Sequence, residues 1–176
     1  ISFFMKTLFT LFILFIFTSK LSASETVEIH LLDNLDDKRG YCLDIKGHKS
    51  KAKIEKGLQA HTCYSYQGKI SIDQGFDKHK LMSSIFYIPE FLACMETEYT
   101  LKTSVKLKKC EDEKKIYFIF NDEGQIISSD DKLLCLTVSN KSPRKGKGGN
   151  PLHLMRDISL KKCSSVNSKF QLWSFR

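Results

Sequence analysis

The stretch GLQAHTCYSYQGKISIDQGFD, residues 57–77, places glutamines, a histidine and two aspartates around a single cysteine. Carboxylate and amide groups exchange hydrogen bonds with hydroxyl groups, and imidazole adds a flat ring. Side chains of these types that converge in a shallow pocket can bind a polar ligand. The same residues can also form a polar connection between strands, with aspartates capping turns and glutamines bonding the backbone. Both interpretations are open at this point.

Sequence signatures of catalysis are missing. The histidines form neither H-E-x-x-H nor another zinc-ligand spacing; they are His30, His48, His61, His79 and His153. No G-x-S-x-G motif occurs, and GKGGNP lacks the Lys-Ser/Thr ending of a phosphate-binding loop. A glycosidase pair of carboxylates stays open, because it is recognised by separation in space. We expect no enzymatic activity, no metal and no cofactor.

The N-terminal segment has the layout of a signal peptide. Lys6 precedes an apolar run from Leu8 to Phe17, which is followed by small residues. The run is about half of the ~20 residues that a membrane-spanning helix needs. Residues 1–24 are therefore interpreted as a signal peptide with an upstream extension before Met5. We expect a secreted or periplasmic protein with no membrane attachment after cleavage.

Six cysteines, all beyond residue 24, indicate disulfide bonds in an exported chain. The excess of 28 Lys+Arg over 20 Asp+Glu gives a formal net charge of +8. Such a charge favours polyanions or anionic surfaces without identifying a partner. Nucleic acid is not an expected partner, because the basic segment at residues 141–147 lacks interleaved aromatic residues and the protein is expected to be exported.

One pattern recurs three times along the chain. A cysteine opens each copy within an alternating, strand-like run: GYCLDI, LACMET and LLCLTV. A second cysteine ends a similar run: GLQAHTC, VKLKKC and ISLKKC. A third element closes each copy: DQGF, YFIF and FQLW. Residues 25–176 are therefore predicted to form one domain with repeats at about 27–80, 81–124 and 125–176.

The repeats predict an all-β fold. Helical periodicity is weak beyond the signal peptide, and turn residues such as Gly124 separate the predicted strands. Four strands per copy can close into a threefold barrel capped by hairpins, which avoids exposed sheet edges. The ring that closes each copy, Phe76, Phe120 or Trp173, is predicted to lie in the core.

Together these features resemble a ricin B-type β-trefoil lectin domain. Cys-Leu-Asp opens the first copy at Cys42, and a complete Gln-x-Trp stands at residues 171–173. The first copy has the variant Gln-Gly-Phe at 74–76, and the second departs further as Phe-Ile-Phe at 118–120. The resemblance covers about residues 27–176. It implies a β-trefoil with one disulfide inside each copy: Cys42 to Cys63, Cys94 to Cys110 and Cys135 to Cys163.

The resemblance also implies where a sugar binds. Lectins of this type use an Asp after the opening cysteine, a Gln and a ring before the second cysteine, and an Asn or Asp followed by the Gln of Gln-x-Trp. In the first copy these positions hold Asp44, Gln59, His61, Asp73 and Gln74. His61 stands where Trp or Tyr is usual, and Asp73 stands where Asn is more usual.

The other two copies lack this polar set. The second copy is aligned with Glu96, Lys106, Lys108, Tyr117 and Phe118 at these positions, and the third with Thr137, Ser159, Lys161, Phe170 and Gln171. The third copy carries instead a glycine-rich segment with four cations: Lys141, Arg144, Lys145 and Lys147. That segment is interpreted either as a solvated loop or as a contact for an anionic ligand.

The expected function is non-covalent, non-catalytic binding of carbohydrate, with the sugar site in the first repeat. Two alternatives stay open. One is a trefoil that binds protein, as a protease inhibitor or a receptor ligand, and the other is a binder of anionic glycans through the basic segment. The sequence does not predict the oligomeric state.

Overall fold

The computed structural model describes residues 25–98, 104–111 and 115–176. The segment interpreted as a signal peptide, residues 1–24, lies outside the described residues. Within the described ranges the regular structure consists of fourteen β-strands, one α-helix of five residues, α1 (Lys78–Met82), and five short 3-10 helices. No helix in this part of the chain is long and apolar enough to span a membrane.

Twelve strands fall into three groups of four. The first group is β1 (Thr26–Leu31), β2 (Tyr41–Ile45), β3 (Leu58–Thr62) and β4 (Gly75–Asp77). The second is β5 (Tyr87–Ile88), β6 (Ala93–Thr97), β7 (Val105–Lys109) and β8 (Phe118–Phe120). The third starts with β9 (Ile126–Ser128) and β10 (Leu134–Val138), is interrupted by an extra hairpin of β11 (Arg144–Lys145) and β12 (Leu154–Arg156), and ends with β13 (Ile158–Lys162) and β14 (Trp173–Phe175). The 3-10 helices lie in connections: Lys49–Lys51, Ile54–Lys56, Ser65–Gln67, Pro89–Phe91 and Ser165–Phe170.

The predicted all-β fold of three four-strand repeats is confirmed, and the β11–β12 hairpin is an addition to it. All strand pairs are antiparallel. The second and third strands of each repeat pair over five residues, as β2–β3, β6–β7 and β10–β13. Strand β1 pairs with β14 as well as with β2 and β4, so the last repeat is joined to the first.

A disulfide closes each of the three long hairpins. The bonds join Cys42 to Cys63, Cys94 to Cys110 and Cys135 to Cys163, which is the pairing implied by the family resemblance. The bonded residues are 21, 16 and 28 positions apart. Loops of this length contribute about 3 kcal/mol each by restricting the unfolded chain, in the chain-entropy model. The longest of them contains the extra hairpin.

One fully buried ring from each repeat lies in the core, but the ring of the second repeat is not the predicted one. Phe76 and Phe118 are 0% exposed and Trp173 is 1% exposed. Phe120 is only half-buried, so its assignment as the closing ring is wrong. Phe118 lies opposite Ser128 in β9, and Trp173 lies opposite Leu31 in β1. Ser128 and Leu31 are equivalent residues in the first strands of their repeats, so Phe118 is the counterpart of Trp173.

Backbone hydrogen bonds place the second repeat in the same register. The N–H of Ser129 donates to the carbonyl of Tyr117, as the N–H of Leu32 donates to the carbonyl of Leu172, both at 2.9 Å. Tyr117 is therefore the counterpart of the middle residue of Gln-x-Trp, and Ile116 takes the place of the glutamine. The glutamine that would have aligned this repeat is missing, which explains the shift of two residues in the sequence alignment.

Replacing the two second-repeat phenylalanines tests this register. Phe118→Ala should lower the free energy of unfolding by about 3–5 kcal/mol, because it empties a fully enclosed site. Phe120→Ala should cost less, since its ring retains solvent contact and packs near Phe175 at a centroid distance of 5.8 Å. Urea unfolding of the two variants measures the difference. A larger loss for Phe120→Ala would contradict the register.

Candidate functional site

A buried glutamine holds the end of strand β3 in the first repeat. Gln74 is 0% exposed, and its Oε1 accepts a hydrogen bond from the N–H of Tyr64 at 2.9 Å. Its Nε2 donates to the carbonyl of Thr62 at 3.1 Å and to Oδ2 of Asp44 at 3.0 Å. The two backbone groups flank Cys63, so the amide pairs the polar groups on both sides of the disulfide.

The third repeat repeats these bonds without a carboxylate. Gln171 accepts from the N–H of Ser164 at 2.9 Å and donates to the carbonyl of Lys162 at 3.0 Å. Its second donor bond goes to Oγ1 of Thr137, at 2.9 Å. Because the same backbone contacts occur in a repeat that lacks the polar set, the Gln of Gln-x-Trp has a structural role in both repeats.

Asp44 and Gln59 face each other across strands β2 and β3 and are closed off from solvent. Asp44 is 1% exposed and Gln59 is 4% exposed. The Oδ1 atom of Asp44 accepts from Nε2 of Gln59 at 3.0 Å, while its Oδ2 accepts from Gln74. Burial, followed by the charge of nearby Asp73, raises the pKa of Asp44 well above its ordinary value. Both carboxylate oxygens are thus engaged inside the protein.

Asp73 is equally buried and fixes the connection that follows β2. Its Oδ2 accepts a hydrogen bond from the N–H of Lys49, and its Oδ1 accepts from the hydroxyl of Ser71. Lys49 has a φ of 49°, in the left-handed region that a residue with a side chain rarely adopts. The carboxylate therefore holds a strained backbone in place.

A cleft of about 730 Å³, which we call the first-repeat cleft, lies above this buried network. Its walls come from the first repeat and from the extra hairpin of the third: Gly47, His48, Lys49, His61, Tyr64, Gln67, Lys145, Gly146, Lys147, Gly148, Gly149, His153 and Met155. Of the five predicted sugar-site residues, only His61 lines the cleft. The structure brings Asp44, Gln59 and Gln74 together by hydrogen bonds, and it sets Asp73 close enough to Asp44 to affect the pKa of Asp44.

Three mutually contacting rings, those of His61, Tyr64 and His153, form one wall of the cleft. His61 stacks on Tyr64, with centroids 5.2 Å apart and planes inclined by 19°. The ring of His153 meets both edge-on, at 5.3 Å from His61 and 5.0 Å from Tyr64. The hydroxyl of Tyr66 lies 2.9 Å from Nε2 of His153. His61, Tyr64 and His153 are 6%, 6% and 7% exposed, so each contributes a small part of its ring to the cleft surface, where it can pack against C–H groups of a ligand.

Burial decides the charge of these rings. It lowers the pKa of His61, against the opposing effect of the hydrogen bond between Nδ1 and the carbonyl of Thr62. The pKa of His153 is also lowered, first by burial and then by the positive charge of Arg39. The pKa of Tyr64 rises to about 12 because of burial and the charges of Asp44 and Asp73. At neutral pH all three rings are therefore uncharged.

The extra hairpin is part of the first-repeat sheet. Strand β12 pairs with β3, with Met155 opposite His61, and the N–H of Leu154 donates to Oγ1 of Thr62 at 2.8 Å. At Gly149 φ is 89°, and a Cβ atom would lie 2.6 Å from Cδ2 of His153. A glycine is thus required where the hairpin turns close to the ring.

The four cations of the third repeat are divided by this hairpin. Lys145 and Lys147 line the cleft. Arg144 instead pairs with Asp157 at 2.8 Å, and the carbonyl of Lys141 accepts a hydrogen bond from the guanidinium of Arg156. Two of the four predicted residues therefore face the cleft.

A second cleft, of about 300 Å³, lies on the second repeat. Its lining mixes acids with bases: Glu96, Thr97, Glu98, Lys106, Lys108, Lys115, Tyr117 and Asp130. Glu96 pairs with Lys108 at 3.7 Å, and Glu98 pairs with Lys106. This cleft is internally neutralised.

One cluster among the described residues groups three side chains of the types that ligate metals. It consists of Glu28, Cys42 and Cys63. Both cysteine sulfurs of this group are joined in a disulfide, which removes the thiolates that bind a metal.

Sequence reasoning missed most of the cleft lining, including Lys49, Tyr64 and His153. Tyr64 directly follows the second cysteine, and an aromatic residue at that place was available as a signal. The 28-residue separation of the third cysteine pair indicated inserted structure. It did not show that the insertion reaches the first repeat.

Substitutions at Asp44 test whether the buried network is structural. Asp44→Ala should lower the free energy of unfolding by about 1–3 kcal/mol, because the amides of Gln59 and Gln74 lose their acceptor. The double variant Asp44→Thr/Gln59→Ser copies Thr137 and Ser159 of the third repeat. It should lower the free energy of unfolding by less than Asp44→Ala does.

The same network makes a pH-dependent prediction. The folded pKa of Asp44 is raised above the unfolded value, so its contribution to stability is complete below the ordinary value of 3.8 and declines as the pH rises through the folded pKa. The destabilisation caused by Asp44→Thr/Gln59→Ser should therefore be greater in acid than at neutral pH. Urea unfolding of parent and variant across this range gives the comparison, and an equal or opposite trend would contradict the assignment.

The chain is similar to known proteins in both its sequence and its fold. A model of the ricin-type beta-trefoil lectin domain family matches residues 32–154. Among solved structures, the chain is similar to the C-terminal domain of an earthworm lectin, a mutant in complex with 6'-sialyllactose. The TM-score is 0.51 at 14% identity, with 86% of this chain and 98% of the earthworm domain covered, which shows a shared fold. No curated protein matches the chain. The match over residues 32–154 and the three four-strand repeats together show that this protein belongs to the ricin-type β-trefoil lectin domain family.

Proposed function

We propose that this protein is a non-catalytic carbohydrate-binding module, secreted or periplasmic, and that the first-repeat cleft holds the sugar. The observation that carries the proposal is the aromatic wall of His61, Tyr64 and His153, which faces polar loops from two repeats. Membership of a lectin domain family supports the ligand class. The earthworm domain of the same fold has been solved with a sialylated oligosaccharide, which is consistent with it. Three disulfides are typical of an extracytoplasmic protein.

The walls of the cleft match the two kinds of surface on a sugar. The stacked pair of His61 and Tyr64, with His153 edge-on, offers apolar contact for a C–H face. Gln67 lies three residues after Tyr64, is exposed, and supplies an amide for hydroxyl groups. The turn at 146–149 contributes three glycines to the lining, Gly146, Gly148 and Gly149, and they leave room for a ligand because they have no side chains.

In this proposal the buried residues stabilise the floor of the cleft and do not contact the sugar directly. Asp44, Gln59 and Gln74 form a hydrogen-bonded floor, and Asp73 fixes the loop that carries Lys49. Asp44 is 1% exposed, so its direct contact with a sugar hydroxyl requires the side chains that cover it to move aside. His61 is the member of the predicted set that lies at the ligand surface.

A single open site of this kind binds weakly. Its dissociation constant is expected near ~1 mM, about −4 kcal/mol, so a clustered glycan is needed for a strong signal. A glycan array supplies such clustering and does not require the sugar to be known in advance.

Filling the cleft tests its assignment. Gly148 lines the cleft, has no positive φ, and leaves open space within 4 Å of the position that a Cβ atom would take. Gly148→Trp should therefore fold normally, occupy the cleft and abolish array binding. The control is Val166→Trp, at a residue that is 87% exposed and lies outside the described clefts.

Each outcome on the array has a clear meaning. Loss of binding in Gly148→Trp alone, with melting temperatures unchanged, supports the first-repeat cleft. Binding that survives in Gly148→Trp would move the site elsewhere on the domain. A parent protein that binds no glycan would overturn the proposed function and favour a protein ligand.

A further inference from the structure

The first-repeat cleft differs from the second-repeat cleft in its charge. Among the described residues, its lining has no acidic side chain but has three lysines and three histidines: Lys49, Lys145, Lys147, His48, His61 and His153. In the second-repeat cleft, three lysines are matched by three acids. The two clefts belong to the same protein and differ in the balance of charge among their lining residues. The positive charge of the first-repeat cleft therefore does not follow from the overall basic composition alone.

No carboxylate in the described part of the chain forms an ion pair with a lysine of the first-repeat cleft. Ion pairs in the described part of the chain engage other cations, including Lys106 and Lys108 of the second-repeat cleft. None of the ion pairs found among the described residues includes Lys49, Lys145 or Lys147. Three lysines that line one cleft without a counter-ion repel one another, and an anionic ligand would relieve that repulsion.

Two separate parts of the fold place these lysines. Lys49 is held by the bond from its N–H to buried Asp73, in the left-handed conformation described above. Its Nζ lies 6.0 Å from the centroid of the Tyr64 ring, beside the aromatic wall. Lys145 and Lys147 come from the extra hairpin, which is fixed by the bond from Gly146 N–H to the carbonyl of His153 at 2.7 Å. The left-handed backbone at Lys49 and the inserted β11–β12 hairpin thus place cations beside the aromatic wall.

We propose that the first-repeat cleft is selective for acidic sugars, those that carry a carboxylate or a sulfate ester. The proposal rests on the proposed carbohydrate function and names its ligand class. The ring of the acidic sugar packs against His61 and Tyr64, while its anionic group receives charge-assisted hydrogen bonds from the lysines. Lysine suits both anions, because its ammonium group acts as a compact point charge with rotatable donors.

Matched glycan pairs test the selectivity. Each pair has one saccharide with a neutral hydroxymethyl or hydroxyl group and a second that differs only in a carboxylate or a sulfate ester at that position. The acidic member should bind about tenfold more tightly or better, as one charge-assisted hydrogen bond allows. The preference should shrink with added salt if part of it comes from exposed charge.

Two triple variants separate a local effect from general attraction. Lys49→Gln/Lys145→Gln/Lys147→Gln should reduce the acidic-to-neutral ratio to about one. Lys132→Gln/Lys161→Gln/Lys162→Gln removes the same charge from three exposed residues that do not line the cleft, and it should preserve the ratio. Comparing carboxylate with sulfate pairs shows which anion the cleft prefers.

The possible failures are distinct. If acidic and neutral members bind equally and Gly148→Trp blocks both, acid selectivity is wrong while the carbohydrate function stands. If both triple variants lower the ratio equally, the preference comes from net charge and the cleft assignment is wrong. If no member of any pair binds, the selectivity and the proposed function both fail.

Discussion

A glutamine amide that pairs the backbone on both sides of a disulfide determines the local structure on which the cleft depends. In the first repeat the amide of Gln74 satisfies the carbonyl of Thr62 and the N–H of Tyr64, both of them buried beside Cys63. An unpaired buried backbone group costs about 1–3 kcal/mol, so the chain leaves strand β3 at a fixed angle. That angle sets Tyr64 against His61 and turns the pair toward the cleft. The same bonds in the third repeat show that this is a property of the fold and that the ligand is not its cause.

The extra hairpin changes the role of a strand that belongs to another repeat. Without β12, strand β3 would present an unpaired edge on this side of the seven-stranded sheet. With it, the hydrogen-bonding groups near Ala60 and His61 are paired, and the sheet continues into the wall that carries His153. The insertion lies inside the longest disulfide loop, where added length costs little in loop-closure entropy. An insertion in the third repeat thereby completes the cleft on the first.

The sequence was sufficient for the features that repeat. Three opening cysteines, three closing cysteines and alternating strands predicted the all-β architecture, and the family resemblance supplied the disulfide pairing. The prediction failed at Phe120, because the second repeat has Ile116 where the glutamine stands elsewhere and the remaining rings fit two registers equally well. Burial decided between them, since Phe118 is enclosed.

The candidate site was predictable only where it is local. Asp44, Gln59 and Gln74 were grouped correctly, but a sequence pattern does not tell a buried acceptor from an exposed one. Lys145 and Lys147 were named as candidates for an anionic ligand, but neither their position beside the first repeat nor that of His153 was predicted. Thr62 and Leu154, whose bond brings the hairpin to the first repeat, are 92 residues apart in the chain. No periodicity in the sequence encodes a contact of that range.

The buried acids and the lysines of the cleft form two layers with opposite tasks. Asp44 and Asp73 carry the acidity of the predicted site, yet their hydrogen bonds run to Gln59, Gln74, Ser71 and the backbone of Lys49. Their carboxylates therefore stabilise the floor, while the lining of the cleft has no acid among the described residues. Asp73 links the layers directly, because the carboxylate that is hidden from the ligand is the one that positions a cation toward it.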